Sequence, residues 1–227
     1  MMETDGYRDR SMVLMDLPRS QWLADAAVNV AGVIAALAGG FVLVFAVVPE
    51  IGLPGQAALC LYAFCVLASF LASAVYNSGP FISHRAVLRR LDHGAIYIKI
   101  AGTATPFMVM SGSSMAWGGL VIIWGLSLYG AVKKIVFWSE PGKYDPYLYL
   151  VLAWSAAIPT AELIGEVPAR MFLWMASGGL LYTAGVLVYV RDTMPFSRAI
   201  WHLFVLAAAT CFFVAIILGT IATLAVY

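Results

Sequence analysis

Charge is what this sequence lacks most. Only 11% of its 227 residues are Asp, Glu, Lys or Arg, against about 25% in an ordinary soluble domain. A chain so poor in charge cannot cover a water-facing surface, which excludes a soluble globular protein. The formal net charge is +1, so no basic field exists to hold nucleic acid, and that partner is excluded too. Histidine is also scarce, with only His84, His93 and His202 in the chain. The cysteines Cys60, Cys65 and Cys211 lie in apolar runs with no CxxC spacing. They read as small packing residues rather than as a disulfide or a metal site. Residues 1–20 are polar and mixed in charge, with no short apolar region ahead of the first long one, so no cleaved signal peptide is expected.

Apolar residues are abundant, at 63%, and mean hydropathy is +0.90. Seven apolar segments can be cut, at 26–48, 55–77, 92–112, 115–137, 145–163, 169–190 and 199–226. Each is long enough, or nearly so, for a hydrocarbon core of about 30 Å at 1.5 Å per residue. The fifth is short and carries Trp154 and Pro159; neighbouring helices can satisfy the carbonyl that a proline frees. The expected fold is an all-α integral membrane protein, a seven-transmembrane helix bundle. It forms a single domain over 26–227, preceded by a polar cytoplasmic segment at 1–25.

Orientation follows from the loops. Arg8, Arg10, Arg19, Arg85, Arg89, Arg90, Lys133, Lys134, Lys143, Arg191 and Arg198 fall in the N-terminal segment and in every second connection, which makes 11 of the 13 Lys and Arg. The alternate connections hold only Arg170, and Lys99 lies inside a span. The positive-inside rule then puts the N-terminus in the cytoplasm and the C-terminus outside. Small residues are expected to let helices approach closely where lipid removes the hydrophobic drive. Candidates are Gly32, Ala36 and Gly40 in the first span, Gly118, Gly119, Gly125 and Gly130 in the fourth, and Gly178, Gly179 and Gly185 in the sixth.

This topology brings polar residues to a common depth near the inner leaflet. Ser73 and Asn77 end the second span, Asp92 opens the third, and Arg198 and His202 open the seventh. Residues four apart share a helix face, and intramembrane polar groups face the bundle interior, so Ser73, Asn77, Asp92, Arg198 and His202 are expected to form one polar cluster.

The same stretches resemble the hemolysin III family, within the seven-helix progestin and adiponectin receptor superfamily. RRLDHGAIYIKIAGTATPF at 89–107 is similar to the signature LDH-x-x-I-x-x-x-IAGT-x-TPF. SAVYN at 73–77 resembles Ser-x-x-Tyr-His, RAIWHLFVLAAATCFF at 198–213 the His-x-x-x-His opening of the last helix, and ADAAVNVAG at 24–32 Asp-x-x-x-His-x-x-Gly. The resemblance covers the chain from about Trp22 to Tyr227. It implies one zinc ion held by the His after the Tyr and by the two His of the last helix, with Ser and Asp assisting a water. In relatives with that site the implied activity is hydrolysis of a lipid amide; elsewhere the fold serves as a receptor or regulator.

The chain departs from the pattern at the ligands. Asn77 and Arg198 stand where two of the three His belong, and Asn29 and Phe212 replace two more family His. An amide oxygen is a poor zinc ligand and a guanidinium cannot ligate. No cofactor is therefore expected, zinc being the alternative, and a three-His site would need His84, His93 and His202 together. Arg198 is expected instead to supply the positive charge locally and to pair with Asp92, with Ser73 and Asn77 satisfying the remaining groups and His202 beside the cation. The result would be a metal-free cluster that keeps the fold and has lost the family's hydrolytic chemistry, in which Ser73 and Asp92 would be the catalytic candidates if any activity persists.

Lys99 lies seven residues beyond Asp92, on a shared stripe with Ile96 and Thr103 and roughly 10 Å deeper. It could act as a base or proton relay, though pairing with a carboxylate such as Asp25, or reaching a water-filled cavity, is the plainer role. The last span has no Lys for a Schiff base, which excludes a retinal protein. The expected function is regulation of membrane or lipid state, with a membrane lipid or acyl chain as partner and a homo-oligomer left open. The alternatives are a zinc-dependent lipid amide hydrolase, a pore-forming cytolysin and an ion-coupled transporter. The expected location is the inner (cytoplasmic) membrane of a bacterium.

Overall fold

The computed structural model describes residues 18–78, 82–137, 145–191 and 194–224. Most of the expected polar segment at 1–25, with Arg8 and Arg10, lies outside the described residues, as does Lys143. Helices form at the apolar runs: α1 (Arg19–Val42), α2 (Leu53–Ser78), α3 (Arg85–Ser111), α4 (Ser114–Ile135), α5 (Asp145–Ser155), α6 (Ala157–Thr160), α7 (Ala169–Tyr189) and α8 (Ser197–Leu224). A π-type turn at Leu43–Val47 and a 3-10 turn at Val48–Glu50 extend α1. Five stretches are long and apolar enough to cross a membrane: Arg19–Glu50, Leu53–Asn77, Ser114–Ile135, Ala169–Tyr189 and Ser197–Leu224. Their outward faces carry Phe41, Phe64, Val121 and Leu173, each more than 60% exposed. A water-facing surface would not carry such a band, and a lipid-facing one requires it. This is an integral membrane helical bundle.

α3 is the exception that organises the rest. Its 27 residues span about 40 Å at 1.5 Å per residue, but they include Arg85, Arg89, Arg90, Asp92 and Lys99. The most polar helix occupies the centre, packed on α2, α4, α5 and α8, where its charges face protein rather than lipid. α1 packs on both α2 and α8, and α7 runs along α8. Two apolar cores result, one around Leu59, Phe107, Met171 and Ile216, the other around Ala101, Met108, Ala116 and Ile123. Several hydroxyls inside the spans bond back to their own helix, as Thr103 Oγ1 does to the Lys99 carbonyl and Thr105 Oγ1 to that of Ala101, both at 2.8 Å, which satisfies those donors away from water.

The fifth segment is not the continuous helix expected over 145–163. It breaks at Ala156 into α5, α6 and a 3-10 turn at Ala161–Leu163. Pro159 explains the break, because its ring crowds the carbonyl four residues back, at Ser155, and it offers no N–H to it. Locally the ladder tightens, with the Ala156 N–H bonded to Ala153 at 3.3 Å. The glycine expectation also needs correction. Gly32, Gly119, Gly130, Gly178, Gly179 and Gly185 do sit where a Cβ would collide with a neighbour, but Gly118 and Gly125 face open space and Gly40 meets only ordinary contact. Two of the tightest approaches, at Gly94 and Gly102 of α3, are not among the expected positions.

Candidate functional site

The start of α1, the end of α2 and the start of α8 meet at one end of the bundle. Asp25, 2% exposed, stands at the centre of the group, and a carboxylate buried so deeply must be paired. Arg198 Nη2 donates to Asp25 Oδ2 at 2.8 Å and to Asn77 Oδ1 at 2.5 Å. A guanidinium only donates, so Asn77 must present its oxygen there. Its Nδ2 is then left to donate to the Ser73 carbonyl at 2.9 Å and to Ser73 Oγ at 3.2 Å.

His202, one turn beyond Arg198, completes the group. Its Nδ1 is 2.5 Å from Asp25 Oδ1 and its Nε2 is 3.4 Å from Ser73 Oγ. Asn29, one turn beyond Asp25, donates from Nδ2 to the Asp25 carbonyl at 2.9 Å. That same nitrogen lies 3.2 Å from His202 Nδ1. Both atoms are donors once Asp25 accepts from the imidazole, so the contact is one of proximity.

Of the expected cluster, Ser73, Asn77, Arg198 and His202 come together. The pair expected between Arg198 and Asp92 does not form, because α8 packs on α1 and the guanidinium meets Asp25. Asp92 is also not in the first turn of its helix. α3 begins at Arg85, two turns earlier, and Asp92 Oδ2 lies 3.9 Å from His93 Nδ1. Asp25 and Asn29 are the residues missed as cluster members. Their signal was legible in an acidic and an amide side chain four apart on a helix that is otherwise apolar beyond its first turn.

The donor set does not suit zinc. One imidazole faces the site, its Nδ1 bonded to Asp25, and the other two positions hold the amide of Asn77 and the guanidinium of Arg198. His93 Nδ1 lies 2.9 Å from the Arg89 carbonyl, and His84 is exposed beside Ser83. Among the described residues no three of His, Cys, Asp and Glu gather in a way that could hold a metal ion.

A cavity of about 200 Å³ runs from this cluster into the bundle. Ser73, Asp92 and His202 line its polar end. Ile96, Lys99 and Thr103 line its wall along the stripe that their spacing implies, and Phe107 and Phe212 lie in its apolar part. Phe212, at a family His position, stacks on Tyr182 with centroids 6.0 Å apart. Lys99, 6% exposed, does not pair with Asp25. Its Nζ lies 5.1 Å from the Tyr182 ring centroid and 5.5 Å from that of Phe70. Cation–π contacts are worth about 0.5–2 kcal/mol each, less than burial of an ammonium without a carboxylate costs. Lys99→Met should therefore leave the thermal midpoint in detergent unchanged or raised. A fall of several degrees would mean that Lys99 serves stability and not the cavity.

A family model described as "Haemolysin-III related" matches residues 27–213. A "Hemolysin-3 homolog" of Bacillus subtilis (strain 168) is 34% identical over 67% of this chain and 72% of its own length. "Hemolysin-3" of Bacillus cereus is 30% identical over 73% and 76%. The human "Monocyte to macrophage differentiation factor" is 26% identical over 69% and 67%. An apolar helical bundle, a polar cluster built from the motif positions and a match spanning most of the chain lead to one assignment: this membrane protein belongs to the haemolysin III-related family.

Proposed function

We propose that this protein binds an acyl chain of a membrane lipid in its central cavity and, through that occupancy, regulates membrane or lipid state. The observation that carries the reading is the cavity itself, walled by Phe70, Phe107 and Phe212, with Ser73, Asp92, His202 and the Lys99 ammonium as its polar groups. Apolar walls with a few convergent polar groups suit an amphiphile, with chain and head group sorted to the two ends. Most of the lining is apolar, with isolated polar side chains such as Thr103 and Thr160 rather than a continuous polar stripe, which supports binding over conduction and makes a pore or transporter the weaker reading. The cluster works without metal in this reading, Arg198 supplying the positive charge.

The bundle crosses the membrane seven times in this proposal, the charged α3 and the broken α5–α6 segment adding two crossings to the five long apolar stretches. Arg19, Arg85, Arg89, Arg90, Lys133, Lys134 and Arg191 flank the end that carries the cluster. That bias supports a cytoplasmic N-terminus, a cluster at the inner leaflet and residence in a bacterial inner membrane.

Trp154 and Trp201 line the cavity and serve as reporters. A fatty acid brominated on its chain should quench their fluorescence saturably in the detergent-purified protein. Ile96→Phe, which fills the cavity, should weaken that quenching at least tenfold in concentration. Non-saturable quenching that is equal in both proteins would remove the acyl-binding reading.

A further inference from the structure

Ser73, His202 and Asp25 lie in an order that binding alone does not require. Ser73 Oγ is 3.4 Å from His202 Nε2, and His202 Nδ1 is 2.5 Å from Asp25 Oδ1. The surrounding bonds fix the direction of the protons. Arg198 can only donate, so it holds Asn77 with its oxygen outward and its Nδ2 pointed at Ser73 Oγ, 3.2 Å away. Ser73 Oγ, already accepting from Asn77, has its own proton left for His202 Nε2. That nitrogen accepts it, because the Asp25 carboxylate holds the imidazole proton on Nδ1. Asp25 is buried, whereas Ser73 and His202 line the cavity. This is the distribution of roles that nucleophilic catalysis by serine needs: nucleophile and base open to substrate, orienting carboxylate enclosed. A serine–imidazole distance of 3.4 Å is within the looser range found before substrate binds.

We propose that Ser73, His202 and Asp25 form a metal-independent acyl-transfer relay that hydrolyses a fatty acyl ester whose chain lies in the cavity. Ser73 Oγ attacks the ester carbonyl carbon while its proton passes to His202 Nε2. The tetrahedral adduct collapses, the bond to the alcohol oxygen breaks, and His202 returns the proton to the departing alcohol. Water then attacks the acyl–Ser73 ester and gives a proton to His202. Collapse of the second adduct breaks the bond to Ser73 Oγ, which recovers that proton, and the fatty acid leaves. Asp25 is a positioning residue that keeps the proton on Nδ1 and stabilises the imidazolium. Arg198 does not line the cavity and is likewise a positioning residue, holding Asp25 and Asn77 through Nη2. This inference rests on the acyl-binding reading but adds chemistry that it does not need.

The test uses the full-length protein in detergent. An alkyl fluorophosphonate should label Ser73, located by peptide mass spectrometry. Hydrolysis of p-nitrophenyl octanoate should persist in EDTA and fall on the order of 10³-fold in Ser73→Ala, a loss far larger than any shift in the still saturable brominated-chain quenching. Asp25→Asn should lower kcat and leave KM unchanged, and Asp25→Glu should restore part of kcat. No adduct on Ser73, or equal turnover in Ser73→Ala, would overturn the relay. If the quenching still saturates in that case, the acyl-binding reading stands without it.

Discussion

Asp25→Ala should be among the most destabilising single substitutions in the chain, costing roughly 3–5 kcal/mol as expected when one partner of a buried ion pair is removed. The Asp25 side chain is 3% exposed, while that of Arg198 is 25% exposed. The variant therefore strands a guanidinium that retains Asn77 and some contact with its surroundings, which places the effect near the lower end of the range. It also removes the acceptor for His202 Nδ1. Loss of the pair loosens the contact between α1 and α8, the seam that closes the bundle. The physical claim is that the cost comes from the orphaned charge and not from the pair's own strength. Asp25→Leu combined with Arg198→Met should therefore recover much of the stability lost in Asp25→Ala. Thermal unfolding in detergent decides it: a single variant as stable as wild type, or a double variant worse than the single, would refute the account.

Much of the bundle was legible in the sequence because lipid enforces a simple rule. Apolar runs bounded by charge had to be helices, and α4 and α8 lie within two residues of the expected spans at each end. The fifth segment resisted because length and hydropathy do not weigh a proline against its neighbours. Pro159 sits late enough that the break falls at Ala156, inside the apolar run. In α3 the polar stretch from Arg85 to Leu91 hid two turns of helix, since its charges face protein and loop rather than lipid. That misplaced start put Asp92 at the mouth of the helix and made it the obvious partner for Arg198.

Half of the site was readable in the same way. Ser73 with Asn77 and Arg198 with His202 are four-residue pairs at helix ends, and such pairs project to one face. What no spacing could supply is which helix stands opposite. Asp25 becomes the centre of the cluster only because α1 packs on α8, a contact between the two ends of the chain. The departure from a three-histidine pattern was visible in Asn77 and Arg198, but its consequence was not. A guanidinium at that position does more than replace a charge, because it orients Asn77 and, through it, the hydroxyl of Ser73.

Helix contacts supply the second large effect, at Gly102. A Cβ on this α3 residue would lie 2.5 Å from Cys65 Cβ and 2.8 Å from its Sγ, across the interface with α2. Cys65 is 1% exposed and its Cβ is fixed to the backbone, so no rotamer change relieves the overlap and the helices themselves must separate. Pro106 lies one turn further and leaves the Gly102 carbonyl without its usual helical donor, so this turn has little bonding to spare. Gly102→Ala should cost about 1–3 kcal/mol, the range for overpacking a dense core, and Gly102→Leu should prevent assembly. Gly118 and Gly125 of α4 are the internal controls. They sit in the same kind of apolar helix, yet a Cβ at either meets nothing within 4 Å. Alanine there should be neutral or stabilising by up to about 1 kcal/mol, from helix propensity alone. Unfolding midpoints of the three alanine variants in one detergent separate the two cases. If Gly118→Ala and Gly125→Ala destabilise as much as Gly102→Ala, the damage lies in loss of glycine as such and not in the close approach of α2 and α3.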